Sequence, residues 1–163
     1  MNAKRVLSFF MIAAVMVSLA VALISFDNSS VEAAKGKELV GTWLLTITPS
    51  GEDAPPPFVG FYSFFEDGNV LFSSAGPPIP ALGNPGHGVW AKLSKNTFGV
   101  TFMQNTYDET LQTNGTLKVS AIVTINGEDE LTTVDTVKIF DTEGNEIVTL
   151  EGATRGVRMR VEQ

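Results

Sequence analysis

The histidine His87 is the first candidate for chemistry, because it lies between two glycines in the run Gly86 to Trp90 and is the one histidine of the sequence. An imidazole side chain can act as a general base or bind a metal. However, the sequence has no cysteine and no nucleophile-elbow motif, and a single histidine makes a poor transition-metal site. Three roles therefore stay open for His87: catalysis, ligand contact or a structural position where a strand starts. The hydroxyls of Tyr62 and Tyr107 are the other candidate catalytic groups.

Aromatic side chains are concentrated between residues 58 and 107. Such a set can line an apolar cavity, with a few polar groups that orient a small ligand, or it can fill a solid core. The sequence does not decide between these two arrangements. For the first of them, the predicted ligand-binding residues are Phe61, Tyr62, Phe64, Phe72, His87, Trp90, Phe102 and Tyr107.

The acidic residues are interpreted as surface groups. Pairs such as Asp108-Glu109 fall at predicted turns and lack the alternating spacing of a calcium loop, so we expect solvated turn tips, no metal site and no cofactor. The formal net charge of −7 argues against nucleic acid as a partner.

The elements that would position these residues are β-strands. From Lys37 onward, alternating runs rich in β-branched and aromatic residues recur between turn residues, without an amphipathic helix of convincing length. Prolines predict loops at Pro49–Pro57 and Gly76–Gly86, both placed near a barrel mouth, and Asp67-Gly68 favours a tight hairpin. We count eight strands with short links. The predicted fold is all-β, an eight-stranded antiparallel up-and-down barrel in residues 34–163.

The first 33 residues indicate export. Two basic residues precede the uncharged segment Val6 to Phe26, and Val31 and Ala33 after it occupy the two small-residue positions of a cleavage pattern. This pattern is typical of a signal peptide cleaved after Ala33, while the length of the segment also fits an uncleaved membrane anchor. In both cases the rest of the chain is expected to be extracytoplasmic, secreted or periplasmic, and to contact a membrane only through its N-terminal segment. With no cysteine, no disulfide stabilises the domain.

The tripeptide Gly41-Thr42-Trp43 at the start of the first strand resembles the motif of the lipocalin family and the wider calycin superfamily. In those barrels a basic residue near the end of the last strand packs over the tryptophan, and the last predicted strand here contains Arg155, Arg158 and Arg160. The resemblance implies a lipocalin-like barrel with Gly41, Trp43 and Arg158 as its structural motif. A guanidinium over an indole gains cation–π energy while its donors bind nearby carbonyls.

Three functions follow as expectations. The first is an exported barrel that binds a small apolar ligand in its interior. The second is a cyclase or isomerase that resembles allene oxide cyclases and holds an apolar substrate in the same cavity, with few polar residues. The third is a structural or interaction protein of the cell surface with a filled barrel. The oligomeric state is not predicted.

Overall fold

The structure, a computed structural model, describes residues 36–51, 54–74 and 84–162. These ranges contain eight β-strands and no α-helix. The predicted signal peptide or anchor, residues 1–33, lies outside the described residues, as does most of the loop Gly76–Gly86. No helix in the described part is long and apolar enough to cross a membrane. The strands are β1 (Gly41–Ser50), β2 (Phe58–Phe64), β3 (Asn69–Ser74), β4 (Gly86–Lys92), β5 (Thr97–Tyr107), β6 (Thr113–Ile125), β7 (Glu130–Phe140) and β8 (Glu146–Arg158).

The strands form a closed antiparallel barrel in chain order, in which β1 pairs with both β2 and β8. The prediction of an all-β, eight-stranded antiparallel up-and-down barrel is therefore confirmed. Closure pairs the backbone groups of both terminal strands, which an open sheet would leave exposed at its edges.

The barrel is strongly staggered. Pairing followed from Thr42 on β1 through β2 to β7 reaches β8 at Thr149. Across the closing pair of strands, however, the amide that donates to the Thr42 carbonyl belongs to Met159, which directly follows β8 and lies ten residues after Thr149. Strands in such a barrel tilt against its axis. As a result, β8 is longer than β1 at this end of the barrel. The last residue of β1, Ser50, pairs with Glu151, and the residues of β8 before Glu151 pair only with β7.

Two local features show how the sequence sets these boundaries. The predicted hairpin at Asp67-Gly68 is present: Gly68 has φ +85°, and the Asp67 carboxylate accepts from the Asn69 amide. The prediction that β1 ends before Pro49 is wrong, because Pro49 and Ser50 pair with Gly152 and Glu151 at the end of the ladder. Proline is compatible with a strand where the missing N–H is not needed.

Candidate functional site

One end of the barrel, here called the base, is sealed by Trp43 and Arg158. The guanidinium carbon of Arg158, the residue that the resemblance places over Trp43, lies 4.1 Å from the centroid of that ring. Its nitrogens donate to the carbonyls of Val40 (2.7 Å), Glu128 (2.9 Å) and Glu38. One side chain thus ties the segment before β1 to the turn between β6 and β7. The Trp43 indole N–H donates to the Leu39 carbonyl at 2.9 Å, and both residues are fully buried.

Above the base, aromatic rings pack against one another inside the barrel. Trp90 meets Phe64 and Phe98 edge to face at 6.2 and 5.8 Å between ring centroids. Phe72 stacks on Phe102 at 4.7 Å, and the Tyr62 ring lies within 6 Å of both. These rings are all buried. This part of the interior is filled with side chains.

The glycines on either side of His87 face this packed interior. A Cβ at Gly86 would approach the Phe102 ring to 2.5 Å, and a Cβ at Gly88 would approach the Thr101 carbonyl oxygen to 2.1 Å. Both positions therefore need glycine, because any side chain would collide with β5. His87 itself lies between them on the outer face of β4, where it is exposed.

The structure brings together five of the eight sequence-predicted ligand-binding residues and leaves Phe61, His87 and Tyr107 apart from them. Tyr62, Phe64, Phe72, Trp90 and Phe102 are buried inside the barrel. Phe61 is 40% exposed on the outer face of β2, and Tyr107 is half-buried at the end of β5. The candidate catalytic groups Tyr62 and His87 are thus on opposite faces of the barrel wall.

At the end opposite the base, here called the mouth, inward-facing apolar side chains are only partly covered. Val137 of β7 pairs with Leu150 of β8, and Ile139 pairs with Val148, so the side chains of each pair share a face. On the other side of β7, Val137 pairs with Val119 of β6, which is buried inside the barrel, and Ile139 pairs with Leu117. Val148 and Leu150 are nevertheless 37% and 38% exposed, because they lie beyond the end of β1. We call this surface the apolar wall; it comprises Leu117, Val137, Ile139, Val148 and Leu150.

A buried carboxylate lies next to the apolar wall. Asp135 is one inward position below Val137 on β7 and is only 6% exposed. The hydroxyls of Thr133 and Thr154 donate to its two oxygens at 2.6 and 2.7 Å. Burial raises the pKa of Asp135, and these two hydrogen bonds partly offset the rise. We call Asp135, Thr133 and Thr154 the polar floor.

Tyr62 adds a hydroxyl near the polar floor. Burial raises the pKa of its phenol well above the usual range, and the negative charge of Asp135 raises it further. The Tyr62 hydroxyl has no hydrogen-bond partner among the described residues. Its oxygen is not among the fully buried atoms that lack a partner, so the hydroxyl is open to a hydrogen bond with water or another polar group.

Asp135 is not among the site residues predicted from the sequence, although its position carries a signal. Every second residue of β7 points to the same face of the sheet, and one such series is Leu131, Thr133, Asp135 and Val137. Because this series begins and ends with an apolar residue, its face is expected to be the inner one. An acidic residue in phase with a buried face is uncommon and points to a special environment.

Two open grooves lie at the ends of the barrel. The groove at the mouth has a volume of about 320 Å³ and includes the exposed His87 and the side chain of Gln104, whose amide oxygen is buried without a hydrogen-bond partner in the described part of the chain. The other, about 280 Å³, lies at the base around Arg158. The mouth groove is lined by Asn84, Pro85, His87, Met103, Gln104, Asn105 and Thr116.

No cluster of three or more metal-ligating side chains occurs within the ranges described. Comparison with known proteins adds no assignment: no protein-family model matches the chain, and no curated protein is significantly similar to it. The function therefore has to be inferred from the barrel itself.

Proposed function

We propose that this protein is an exported, lipocalin-like β-barrel that binds a small molecule with an apolar body at its mouth. The apolar wall is the contact surface, and the aromatic residues Tyr62, Phe72 and Phe102 lie beneath the ligand. The sequence also predicted a small-molecule partner, but in the deep interior of the barrel and not at its mouth.

The observation that carries the proposal is the difference between the two ends of the barrel. The base is closed by Arg158 on Trp43, whereas Val148 and Leu150 face inward at the mouth and remain more than a third exposed. Partly exposed apolar side chains on a concave surface gain free energy when a ligand removes them from water, by about 25 cal/mol per Å². Concave apolar surfaces with few polar groups are typical of small-molecule sites.

Export and the lipocalin-like relationship rest on the sequence. The charge and length pattern of the first 33 residues supports export, and the Gly41-Thr42-Trp43 motif supports the relationship, together with the position of Arg158 over the Trp43 ring. Sequencing the N-terminus of the mature protein tests the first part. A start at Ala34 is expected, and an uncleaved chain would mean a retained anchor.

A second candidate is a structural or interaction barrel without a ligand. It is favoured by the dense packing of the aromatic rings between the base and Phe72, which leaves that region filled with side chains. No comparable observation favours the cyclase alternative, because His87 lies on the outer face of the barrel sheet and Tyr62 on its inner face.

Binding of the uncharged fluorescent probe N-phenyl-1-naphthylamine separates the two candidates. We expect saturable binding to the full chain, weakened about tenfold or more by Val148→Asp, since a new carboxylate on the apolar wall costs at least about 1.4 kcal/mol. Ile147→Asp is the matched control, because Ile147 is the adjacent residue of β8 and is 63% exposed. Its effect should stay within about twofold. Absence of saturable binding, or equal loss in the two variants, would support the structural candidate.

A further inference from the structure

The carboxylate of Asp135 has no positively charged partner in the described part of the chain. The ion pairs found there use other acids, and the inward-facing basic residues Lys92 and Arg158 belong to the base. A buried charge without a counter-charge is costly and is normally paired. Asp135 is thus an inward-facing acid whose partner could come from outside the protein.

The hydrogen bonds of Asp135 are also incomplete. An ionised carboxylate offers about four acceptor sites, and the hydroxyls of Thr133 and Thr154 occupy one on each oxygen. Both hydroxyls use their single proton in these bonds, so the polar floor offers acceptors rather than donors to a ligand. The unpartnered hydroxyl of Tyr62 can accept another hydrogen bond.

Beside Asp135 there is room for a single methyl group. Its neighbour on β8 is Gly152, where an added Cβ would meet its nearest atoms at 3.4 Å or more and would lie 4.0 Å from the Asp135 Cβ. The next inward position on β8 is Leu150, which is partly exposed as part of the apolar wall. The polar floor therefore lies one residue row below the surface to which the proposed ligand binds.

We propose that the ligand of the mouth is an amphipathic amine, whose protonated amino group binds Asp135 while its apolar body covers the apolar wall. This inference rests on the proposed function and adds the class of ligand. An ammonium group supplies the charge that Asp135 lacks and N–H donors for Asp135 and Tyr62. The net charge of −7 also favours the approach of a cation over that of an anion.

The test is displacement of N-phenyl-1-naphthylamine from the unmodified full chain at neutral pH by decylamine, decanol and decanoate, which share one chain length. Decylamine should displace the probe at least about tenfold more effectively than decanol, which corresponds to about 1.4 kcal/mol, and decanoate should be the weakest. Decyltrimethylammonium carries the charge but no N–H donor, so it should fall between decylamine and decanol. Equal displacement by decylamine and decanol would overturn the proposal.

The variant Asp135→Asn tests the residue directly. It should reduce the preference for decylamine over decanol to within about threefold, because the neutral amide lacks the charge that pairs with the ammonium group. Glu151→Gln is the matched control, because it removes an exposed carboxylate from the neighbouring strand. The Glu151 charge raises the pKa of Asp135, so its removal favours the ionised form of Asp135 and should keep the preference. A preference that survives in Asp135→Asn refutes the amine site. Failure of the probe itself to bind refutes the proposed function instead, so the two failures are distinguishable.

Discussion

Replacing Arg158 by methionine should remove the seal at the base. The guanidinium donates to three backbone carbonyls and lies over the Trp43 ring, while only 14% of the side chain is exposed. Methionine keeps most of the chain length and apolar surface and loses the donors and the charge. Asp129, 3.8 Å away, contributes little because it is half exposed.

The expected loss follows from these contacts. Hydrogen bonds to a charged group contribute about 1.5–3 kcal/mol each, and a partly desolvated cation–π contact about 1–2 kcal/mol. Water can reach some of the freed carbonyls, and the terms are not additive, so we expect Arg158→Met to lower the free energy of unfolding by about 3–5 kcal/mol. Against a typical total of about 5–15 kcal/mol, the variant should still fold.

Urea unfolding followed by far-ultraviolet circular dichroism measures this loss. Arg155→Met is the matched control, because Arg155 lies on the same strand but is 66% exposed and forms only a surface ion pair with Glu130. Its loss should be at most about 1 kcal/mol. Arg158→Lys, which keeps the charge without the planar donor group, should fall between the two. If Arg158→Met and Arg155→Met differ by less than about 1 kcal/mol, the arginine does not hold the base closed.

Three further predictions concern the interior and the outer face. Gly88→Ala should lower the free energy of unfolding by about 2–3 kcal/mol or more, because the new Cβ would collide with the Thr101 carbonyl. Gly99→Ala is the control, because the nearest atom to its Cβ would be in a side chain at 3.5 Å, and its loss should stay within about 1 kcal/mol. Similar melting temperatures for the two variants would contradict this. Because the pKa of Asp135 is higher in the folded than in the unfolded state, the folded protein binds more protons between those two values and loses stability as pH rises through that window. Asp135→Asn should therefore be more stable than wild type at pH 7 and converge with it below about 3.8, and parallel pH–stability curves would refute this. His87→Ala should change stability by no more than about 0.5 kcal/mol, since its side chain is on the exposed face; a larger loss in urea unfolding would show an unseen contact.

The fold was largely predictable because each strand carries its own signal. Alternation along β6, for example, indicates one face with Val119, Ala121 and Val123, and the short turns allow only antiparallel neighbours. The end of β1 was not predictable. Pro49 looks like a loop residue from its chemistry, and only its place at the last pairs of the β1–β8 ladder allows it in a strand.

The site was less predictable, since it depends on which residues of each strand face inward and on how far neighbouring strands are shifted along one another. In β2, aromatic residues occupy both faces, so the sequence does not separate the inward Tyr62 from the outward Phe61. The exposure of Val148 and Leu150 arises from how far β8 extends past β1, which no local pattern records. Asp135 was recognisable in principle from its phase within β7.

The pairing of β1 with β8 also determines when the barrel can form. Ser50 bonds to Glu151, 101 residues later, and the Arg158 contact with Val40 spans 118 residues. Contacts of such long sequence separation form slowly, because closing a long loop is entropically unfavourable. During synthesis, β1 stays without its second partner until β8 has emerged. The barrel therefore closes late in synthesis. Its hairpins can assemble early, but the strands at the two open edges are able to pair with other chains until β8 pairs with β1.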